Sequence, residues 1–420
     1  MKERRVVVTG YGALSCVGNN VSDFWDSLVN GRCGLGPITR FDASEYRTQI
    51  AGEIKNFDIT QVMTAKEAKR MDLFCQYAIA AAAEAMQSAG LPANLRAEDS
   101  TVDSTRVGVL VSSGIGGLET ITEQAKTLFD KGPARVSPLM IPMMISDISS
   151  GNISIRYGAR GPNMAIVTAC ATGCHSIGES YWMVARDDAD VMICGGAEAS
   201  ITKLGIAGFC AEKAMSTRND DPLHASRPFD RDRDGFVMSE GAGVLILEEL
   251  EHAKRRGANI LAEVIGYGLS GDGYHITSPA PDGNGGTRAM KMAMKHAGIN
   301  PEDVSYINAH GTSTELNDKF ETLAIKGAFG DAAKKVAVSS TKGVTGHGLG
   351  AAGGFESIVC VQSVLNNVVP PTINYETPDP ECDLDITPNI AREMEVKVAL
   401  NSNLGFGGHN GALLFSKFEG

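Results

Sequence analysis

The sequence has no uninterrupted apolar run long enough to cross a bilayer, so we expect no membrane-spanning segment. We expect no secretory leader either. Met1-Lys2-Glu3-Arg4-Arg5 leads directly into the strand-like segment 6–10, without the apolar region and cleavage site of a signal peptide. These absences predict a globular cytoplasmic protein that does not bind a membrane.

Positive charge is also scarce. The chain has 38 lysines and arginines against 50 aspartates and glutamates, which gives a net charge of −12. Binding to nucleic acid phosphates requires a basic surface, so we expect no nucleic acid partner.

Regularly spaced cysteines are missing too. The nine cysteines follow no pattern, and Cys170 and Cys174 are one residue too far apart for a CxxC pair. We therefore expect reduced thiols, with neither a disulfide framework nor a metal site. The segment 348–353 fits GxGxxG, but no acidic residue ends a second strand about 20 positions later, so we expect no dinucleotide cofactor.

Strand-like and helix-like segments alternate through both halves of the 420 residues, of which 43% are hydrophobic. This pattern predicts an α/β fold with parallel-rich sheets covered by helices on both faces. The predicted strands are 4–10, 106–113, 163–169, 190–197, 259–267, 304–309, 336–340 and 396–401; the predicted helices are 66–89, 286–298, 315–328 and 350–366. We place the boundary between an N-terminal half, 1–255, and a C-terminal half, 256–420, with no linker between them.

Cys170 is the first candidate for a reactive group. It follows the predicted strand 163–169 and precedes the small-residue turn 171–173, after which a helix is predicted. Amide groups and the positive dipole at a helix N-terminus stabilise a thiolate, so this position predicts a thiol with a lowered pKa. The alternative is a small buried hydrophobic residue.

Two histidines occupy comparable positions. His310 and His347 lie in glycine-flanked turns after predicted strands, and strand ends in α/β sheets are where catalytic groups collect. We interpret the other six histidines, including His175, His224 and His409, as ordinary polar residues.

Four separated motifs, 168–173, 308–314, 340–347 and 405–408, resemble those of the β-ketoacyl-acyl carrier protein synthases, most closely the type II elongating enzyme. The resemblance covers nearly the whole chain, and segments 226–230 and 234–236 agree with it. It implies a thiolase-like fold, a duplicated five-layer αβαβα arrangement whose two halves meet at a pseudo-dyad.

The resemblance also implies a decarboxylative Claisen condensation in fatty acid elongation. Cys170 would accept the acyl group, while the backbone N–H groups of Cys170 and Phe406 would form the oxyanion hole. The imidazoles of His310 and His347 would stabilise the enolate formed from a malonyl thioester, and Lys342 would favour their neutral form.

Further residues are assigned by the same resemblance. The residues expected to bind substrate are Ile115, Phe209, Thr277, Thr312, Thr314 and Phe406. The residues expected to dock the carrier protein are Lys66, Lys69, Arg70 and Lys213. An acyl carrier protein is acidic, so such a basic patch would offset the unfavourable overall charge. The family also implies a homodimer.

Two departures from the family pattern stand out. Asn403-Leu404 occupies the place where Ser-Phe is common, and Glu315 occupies one where Pro is frequent. Asp318 and Glu321 match acidic positions of structural role. Three alternatives remain open: a silent subunit resembling a chain-length factor, a cysteine hydrolase, and a type I or polyketide-type synthase. Such silent subunits typically lose the cysteine, which this chain retains as Cys170.

Overall fold

A computed structural model describes residues 4–420. The strands are β1 (Val6–Leu14), β2 (Gly36–Pro37), β3 (Ile50–Ala51), β4 (Val107–Ser112), β5 (Val191–Glu198), β6 (Gly241–Glu249), β7 (Ala262–Gly271), β8 (Tyr306–Asn308), β9 (Ala337–Ser339), β10 (Val368–Val369), β11 (Arg392–Glu393), β12 (Val398–Gly405) and β13 (His409–Ser416). The helices are α1 (Val21–Val29), α2 (Ala65–Ala68), α3 (Leu73–Ser88), α4 (Leu118–Lys131), α5 (Met140–Met144), α6 (Ile148–Tyr157), α7 (Thr172–Ala185), α8 (Lys203–Ala211), α9 (Leu250–Arg255), α10 (Asn284–Ala297), α11 (Glu315–Phe329), α12 (Lys342–Thr345) and α13 (Ala352–Asn366). Across these residues, none of the helices is long and apolar enough to span a membrane.

Nine of the strands described within residues 4–420 form one sheet, in the order β4-β5-β6-β1-β7-β13-β12-β8-β9. The two central strands, β1 and β7, pair over only three residues, Val6–Val8 against 262–264. The same strand order is found on both sides of this junction. We number the strand positions of each half along the chain and leave position 3 empty in the first half. The first half then has the order 2-4-5-1, and the second half has the order 3-2-4-5-1. The third strand of the first half is replaced by an extended segment that bridges from Asn163 to Val109 in parallel.

Helices cover the sheet in layers. Helix α3 packs on β1, β5 and β6, while α10 packs on β7 and β13 and against α11. Helices α7 and α13 contact strands of both halves, so the sheet folds over these two helices and buries them. Glycine allows this close packing. A Cβ atom at Gly353 would lie 2.2 Å from the backbone nitrogen of Cys174, and one at Gly354 would lie 2.3 Å from the Gly243 carbonyl oxygen.

Three structural predictions made from the sequence are wrong in detail. The sheet is mixed: β4-β5, β8-β9 and β8-β12 are its parallel pairs, whereas β6 and β13 run antiparallel to their neighbours. The sequence prediction missed β6 and β13, which form four of the five antiparallel pairs in this sheet; the fifth pair is β1 with β7.

Residues 163–169 are not a regular strand. This segment lies beside one strand, β4, to which Asn163 forms a bridge at Val109. Farther along, the N–H of Ile166 is accepted at 3.0 Å by Ser112 Oγ rather than by a backbone carbonyl. The predicted helix 66–89 is divided in two. Asp72 takes an extended conformation and turns its carboxylate to Thr120, which donates its N–H and its hydroxyl. Helix α2 therefore ends at Ala68, and α3 begins at Leu73.

Candidate active site

One cavity of about 370 Å³ brings together the reactive groups that lie far apart in the sequence. Cys170 lies in the 3₁₀ turn Ala169–Ala171 that precedes α7. His310 follows β8, His347 follows α12, and Phe406 lies between β12 and β13. All four residues line the cavity.

The Cys170 sulfur faces the turn after β12. The side chain is buried, with 8% of its surface exposed, and the backbone N–H of Phe406 donates a hydrogen bond to the sulfur. Gly405 permits this approach because a Cβ atom there would lie 2.5 Å from the Thr168 carbonyl oxygen. The residue before the nucleophile, Ala169, has a φ of 51°, an uncommon conformation for a residue with a side chain. The N–H of Phe406 is therefore held beside the Cys170 sulfur.

The electrostatics of Cys170 differ from the sequence prediction. The cysteine does precede a helix, but burial raises the pKa of its thiol to about 12. The positive charge of Lys342 and the N–H of Phe406 lower this pKa, while the carboxylate of Glu198 raises it. The prediction of a lowered pKa is wrong because removal from water outweighs these favourable contacts.

The imidazoles of His310 and His347 lie edge to face, with ring centroids 5.2 Å apart and planes at 88°. Burial, and secondarily the charge of Lys342, lower the pKa of both histidines well below the usual value. The two rings are therefore neutral, and each can donate one N–H. Glu321 fixes the turn at His310 by accepting the backbone N–H groups of His310 and Gly311, both at 2.7 Å.

Lys342 acts on the site without lining the cavity. It is 1% exposed and pairs with Glu356, whose second carboxylate oxygen accepts Asn403 Nδ2–H at 2.5 Å. Sequence reasoning did not identify Glu356, although it is the one charged residue in the sequence of α13. It identified Asn403 as a departure from the family pattern but gave no contact for it. A lone charge in an apolar helix is the signal that could have found Glu356.

The predicted substrate-binding residues surround the mouth and walls. Thr277, Thr312 and Thr314 line the cavity, and the hydroxyls of the last two are 3.0 Å apart. Phe209 also lines it and packs against Phe236 and Phe406. Ile115 does not line this cavity. It packs instead in the apolar cluster around Cys170, which also includes Ile201, Ile206 and Leu349.

The predicted docking residues are on the surface. Lys213 lies at the mouth of the cavity with a φ of 58°. Lys66 on α2 and its neighbours Lys69 and Arg70 are exposed.

Two family profiles match the chain in succession. The profile for the N-terminal domain of beta-ketoacyl synthase matches residues 3–253, and the profile for its C-terminal domain matches residues 261–376. The chain belongs to the beta-ketoacyl synthase family. The two matches meet between β6 and β7 in the chain, and these two strands lie on either side of β1 in this synthase's sheet.

Close relatives extend over the whole synthase. It is 54% identical over 419 residues to 3-oxoacyl-[acyl-carrier-protein] synthase 2 of Synechocystis sp. (strain ATCC 27184 / PCC 6803 / Kazusa), covering 100% of this chain and 99% of the relative. It is 56% identical over 418 residues to the protein of the same name from Staphylococcus aureus (strain N315), again with 100% and 99% coverage.

A solved structure agrees in fold. The ketosynthase in a complex described as a type II PKS acyl-carrier protein with its ketosynthase bound to the hexaketide matches with a TM-score of 0.91 and 34% identity, covering 99% of this chain and 100% of that one. The resemblance inferred from the four motifs and the predicted α/β, thiolase-like fold class are thereby confirmed.

Proposed function

We propose that this synthase condenses an acyl thioester with a malonyl group on acyl carrier protein, giving a β-ketoacyl thioester longer by two carbons in fatty acid elongation. The observation that carries the proposal is the convergence of Cys170, His310 and His347 in one cavity. A transferase of this kind needs a nucleophile and two neutral hydrogen-bond donors within reach of one substrate carbon.

The first half-reaction transfers the acyl group to the enzyme. Cys170 Sγ attacks the acyl carbonyl carbon, the bond to the pantetheine sulfur breaks, and that sulfur leaves with the proton that Cys170 loses. The N–H groups of Cys170 and Phe406 would stabilise the negative oxygen of the tetrahedral intermediate. The hydrogen bond from Phe406 to the sulfur supports this assignment.

The second half-reaction begins when the malonyl C–C bond to the carboxylate breaks and carbon dioxide leaves. His310 and His347 would donate hydrogen bonds to the enolate oxygen that develops. Their lowered pKa values support this role because a neutral ring can donate without first losing a proton. The carbanion then attacks the acyl–Cys170 carbonyl, a C–C bond forms, and the sulfur leaves and takes up a proton.

Lys342 would be a positioning residue rather than a catalytic one. Its charge lowers the pKa of both histidines and of the Cys170 thiol. Its pairing with Glu356 keeps this charge buried next to the site.

We also propose that the phosphopantetheine arm of the carrier protein enters between Thr277, Thr312 and Thr314 and passes Phe209 and Phe406. Their positions around the cavity support this path. Lys213 at the mouth and the exposed basic residues after α2 would meet the acidic carrier protein. The acyl chain would extend toward Ile115, and the enzyme would act in the cytoplasm.

A homodimer is the proposed assembly. Exposed apolar side chains collect on α4–α6 and the edge segment after them, namely Leu128, Phe129, Ile141, Ile155, Met164 and Val167. Phe129 and Ile155 are 84% and 80% exposed, and the edge of a sheet offers unpaired backbone groups to a second copy. Sedimentation of the wild type as a monomer at micromolar concentration would contradict this proposal.

The two halves of the chain are proposed to be 1–255 and 256–420, related by the repeated strand order. Helix α9 ends at Arg255, and the two family profiles meet close to this boundary.

Intact-mass measurement tests the proposed function. Mixing the protein with acyl-carrier thioester should add one acyl group, and Cys170→Ala should prevent this gain. Adding malonyl-carrier thioester should then discharge the acyl group as a β-keto product longer by two carbons. An adduct that yields only free acid would indicate a hydrolase, and no adduct would indicate a silent binding subunit.

A further inference from the structure

Glu198, the last residue of β5, is a buried acidic residue near Cys170 that has no role in the mechanism above. Its side chain is fully buried, and its carboxylate accepts four hydrogen bonds. Oε2 accepts the backbone N–H groups of Gly114 at 3.0 Å and Gly350 at 3.1 Å. Oε1 accepts the hydroxyls of Ser113 at 2.7 Å and Ser200 at 3.2 Å. In the described part of the chain, neither lysine nor arginine forms an ion pair with this carboxylate.

The three segments that Glu198 joins all adjoin the apolar cluster around Cys170. Ser113 and Gly114 precede Ile115, Ser200 precedes Ile201, and Gly350 follows Leu349. Ile115, Ile201 and Leu349 pack with Cys170 in that cluster. One carboxylate therefore holds the backbone beside three walls of the space that an acyl chain on Cys170 would enter.

Ser113 transmits the contact to Ile115. Its Oγ accepts the N–H of Ile115 at 3.3 Å and that of Gly116 at 2.8 Å, while its own proton goes to Glu198. Both lone pairs of this hydroxyl are therefore used within the turn. The turn keeps its shape only while residue 198 presents an acceptor to Ser113.

The packing around the carboxylate leaves little freedom. A Cβ atom at Gly350 would lie 2.8 Å from Glu198 Oε2 and 2.5 Å from the Gly114 nitrogen. One at Gly114 would lie 3.0 Å from the same oxygen and 3.1 Å from the Ala169 carbonyl oxygen. Because residues 114 and 350 are both glycines, their backbone N–H groups can approach the same oxygen atom of Glu198.

We propose that Glu198 is a positioning residue that fixes the wall of the acyl pocket through the Ser113–Gly116 turn and the Leu349–Gly350 turn, and so sets which acyl chain lengths reach Cys170. The inference rests on the proposed function, because it assumes that Cys170 is acylated.

Glutamine cannot replace this residue without a change in the turn. Its amide oxygen can accept the two backbone N–H groups, but its NH₂ group then faces Ser113 Oγ, which already accepts two hydrogen bonds. Either Ile115 or Gly116 must lose its acceptor. Ser113→Ala removes the same acceptor and leaves the carboxylate in place, so the two variants should behave alike.

Competition between eight-carbon and sixteen-carbon acyl-carrier thioesters tests the proposal, with the two acyl adducts on Cys170 resolved by intact mass. Glu198→Gln and Ser113→Ala should each shift the ratio of adducts toward the longer chain by about tenfold, because a loosened turn at Ile115 enlarges the pocket. The double variant should shift the ratio no further than either single variant.

Glu84→Gln is the matched control. The carboxylate of Glu84 accepts the backbone N–H groups of Ala13 and Val21, which do not line the cavity. This control should lose stability with an unchanged ratio. If Glu198→Gln does not fold, Ser113→Ala decides the test.

An unchanged ratio in Glu198→Gln or, where that variant does not fold, in Ser113→Ala would overturn the positioning role. A wild type that forms no adduct with either thioester would instead overturn the proposed function, so the two failures are distinguishable.

Discussion

At the scale of single residues, the state of the Cys170 proton decides when the nucleophile is available. Burial holds the thiol pKa near 12, so the resting site contains a thiol, two neutral imidazoles and a buried lysine–glutamate pair. Loss of the thiol proton is then coupled to thioester attack, because the departing pantetheine sulfur can take it up.

The pH dependence of Cys170 alkylation follows from this pKa. The thiolate fraction rises about tenfold per pH unit at every pH below the pKa, so the rate of alkylation by iodoacetamide should keep rising through pH 10. Mass spectrometry of the Cys170 peptide measures it. A plateau below pH 8 would contradict the raised pKa. The paired variant Lys342→Met with Glu356→Gln, which leaves no unpaired buried charge, should be alkylated more slowly at each pH, because Lys342 lowers the thiol pKa more than Glu356 raises it.

Asn403 donates a hydrogen bond to Glu356, the carboxylate that pairs with Lys342. Replacing it by Ala removes the N–H donor to Glu356 and leaves one oxygen of a buried carboxylate without a partner. We expect Asn403→Ala to lower the free energy of unfolding by about 1–3 kcal/mol in urea titrations. A change within about 0.5 kcal/mol, the range of surface substitutions, would show that this contact does not stabilise the site.

At the scale of elements, the hairpin of β12 and β13 contains a turn next to Cys170 that has no room for a side chain at residue 405. The turn between them brings the Phe406 amide to the sulfur only because residue 405 has no side chain. Gly405→Ala would place a Cβ atom 2.5 Å from the Thr168 carbonyl oxygen and push the turn away.

We therefore expect Gly405→Ala to slow acylation of Cys170 by about 100-fold, the effect of losing one oxyanion donor. Gly271→Ala is a suitable control, because a Cβ atom at the end of β7 would have its nearest neighbour 3.9 Å away, at the Gly408 oxygen. Stopped-flow acylation measures both variants. Equal rates for Gly405→Ala and the wild type would exclude the Phe406 amide from the oxyanion hole.

The elements also mark the limit of what could be predicted from the sequence. Alternating apolar segments were enough to place β4, β5, α10 and α11 closely. They could not reveal that Asp72 binds Thr120 and so divides the helix 66–89, because that contact joins residues 48 positions apart. In the same way, the motifs identified Cys170, His310 and His347, whereas Glu198 and Glu356 matter through partners that lie close only in the folded chain.

At the scale of the whole molecule, the net charge of −12 opposes the approach of an acidic partner. Docking of acyl carrier protein would then depend on local basic residues, and the proposed ones are Lys66, Lys69, Arg70 and Lys213.

Charge reversal of Lys66, Lys69 and Arg70 should raise KM for the carrier thioester at least about tenfold with little change in kcat, because these residues lie outside the cavity. Added salt should raise the wild-type KM as well, because it screens the same attraction. Reversal of Lys254 and Arg255, a basic pair on α9, is the control and should leave KM unchanged. Equal KM values for the two sets of variants would contradict docking at α2.

The position of β1 between two strands from later in the chain affects folding during synthesis. Its apolar residues Val6, Val7 and Val8 end up between β6 and β7, yet β6 starts roughly 230 residues later in the sequence. At about 5–20 residues per second, a ribosome needs on the order of 10–50 s to supply that partner. During this interval the strand has neither of its native neighbours, so a nascent chain of this synthase exposes a β-prone apolar segment that chaperones must shield until the centre of the sheet can close.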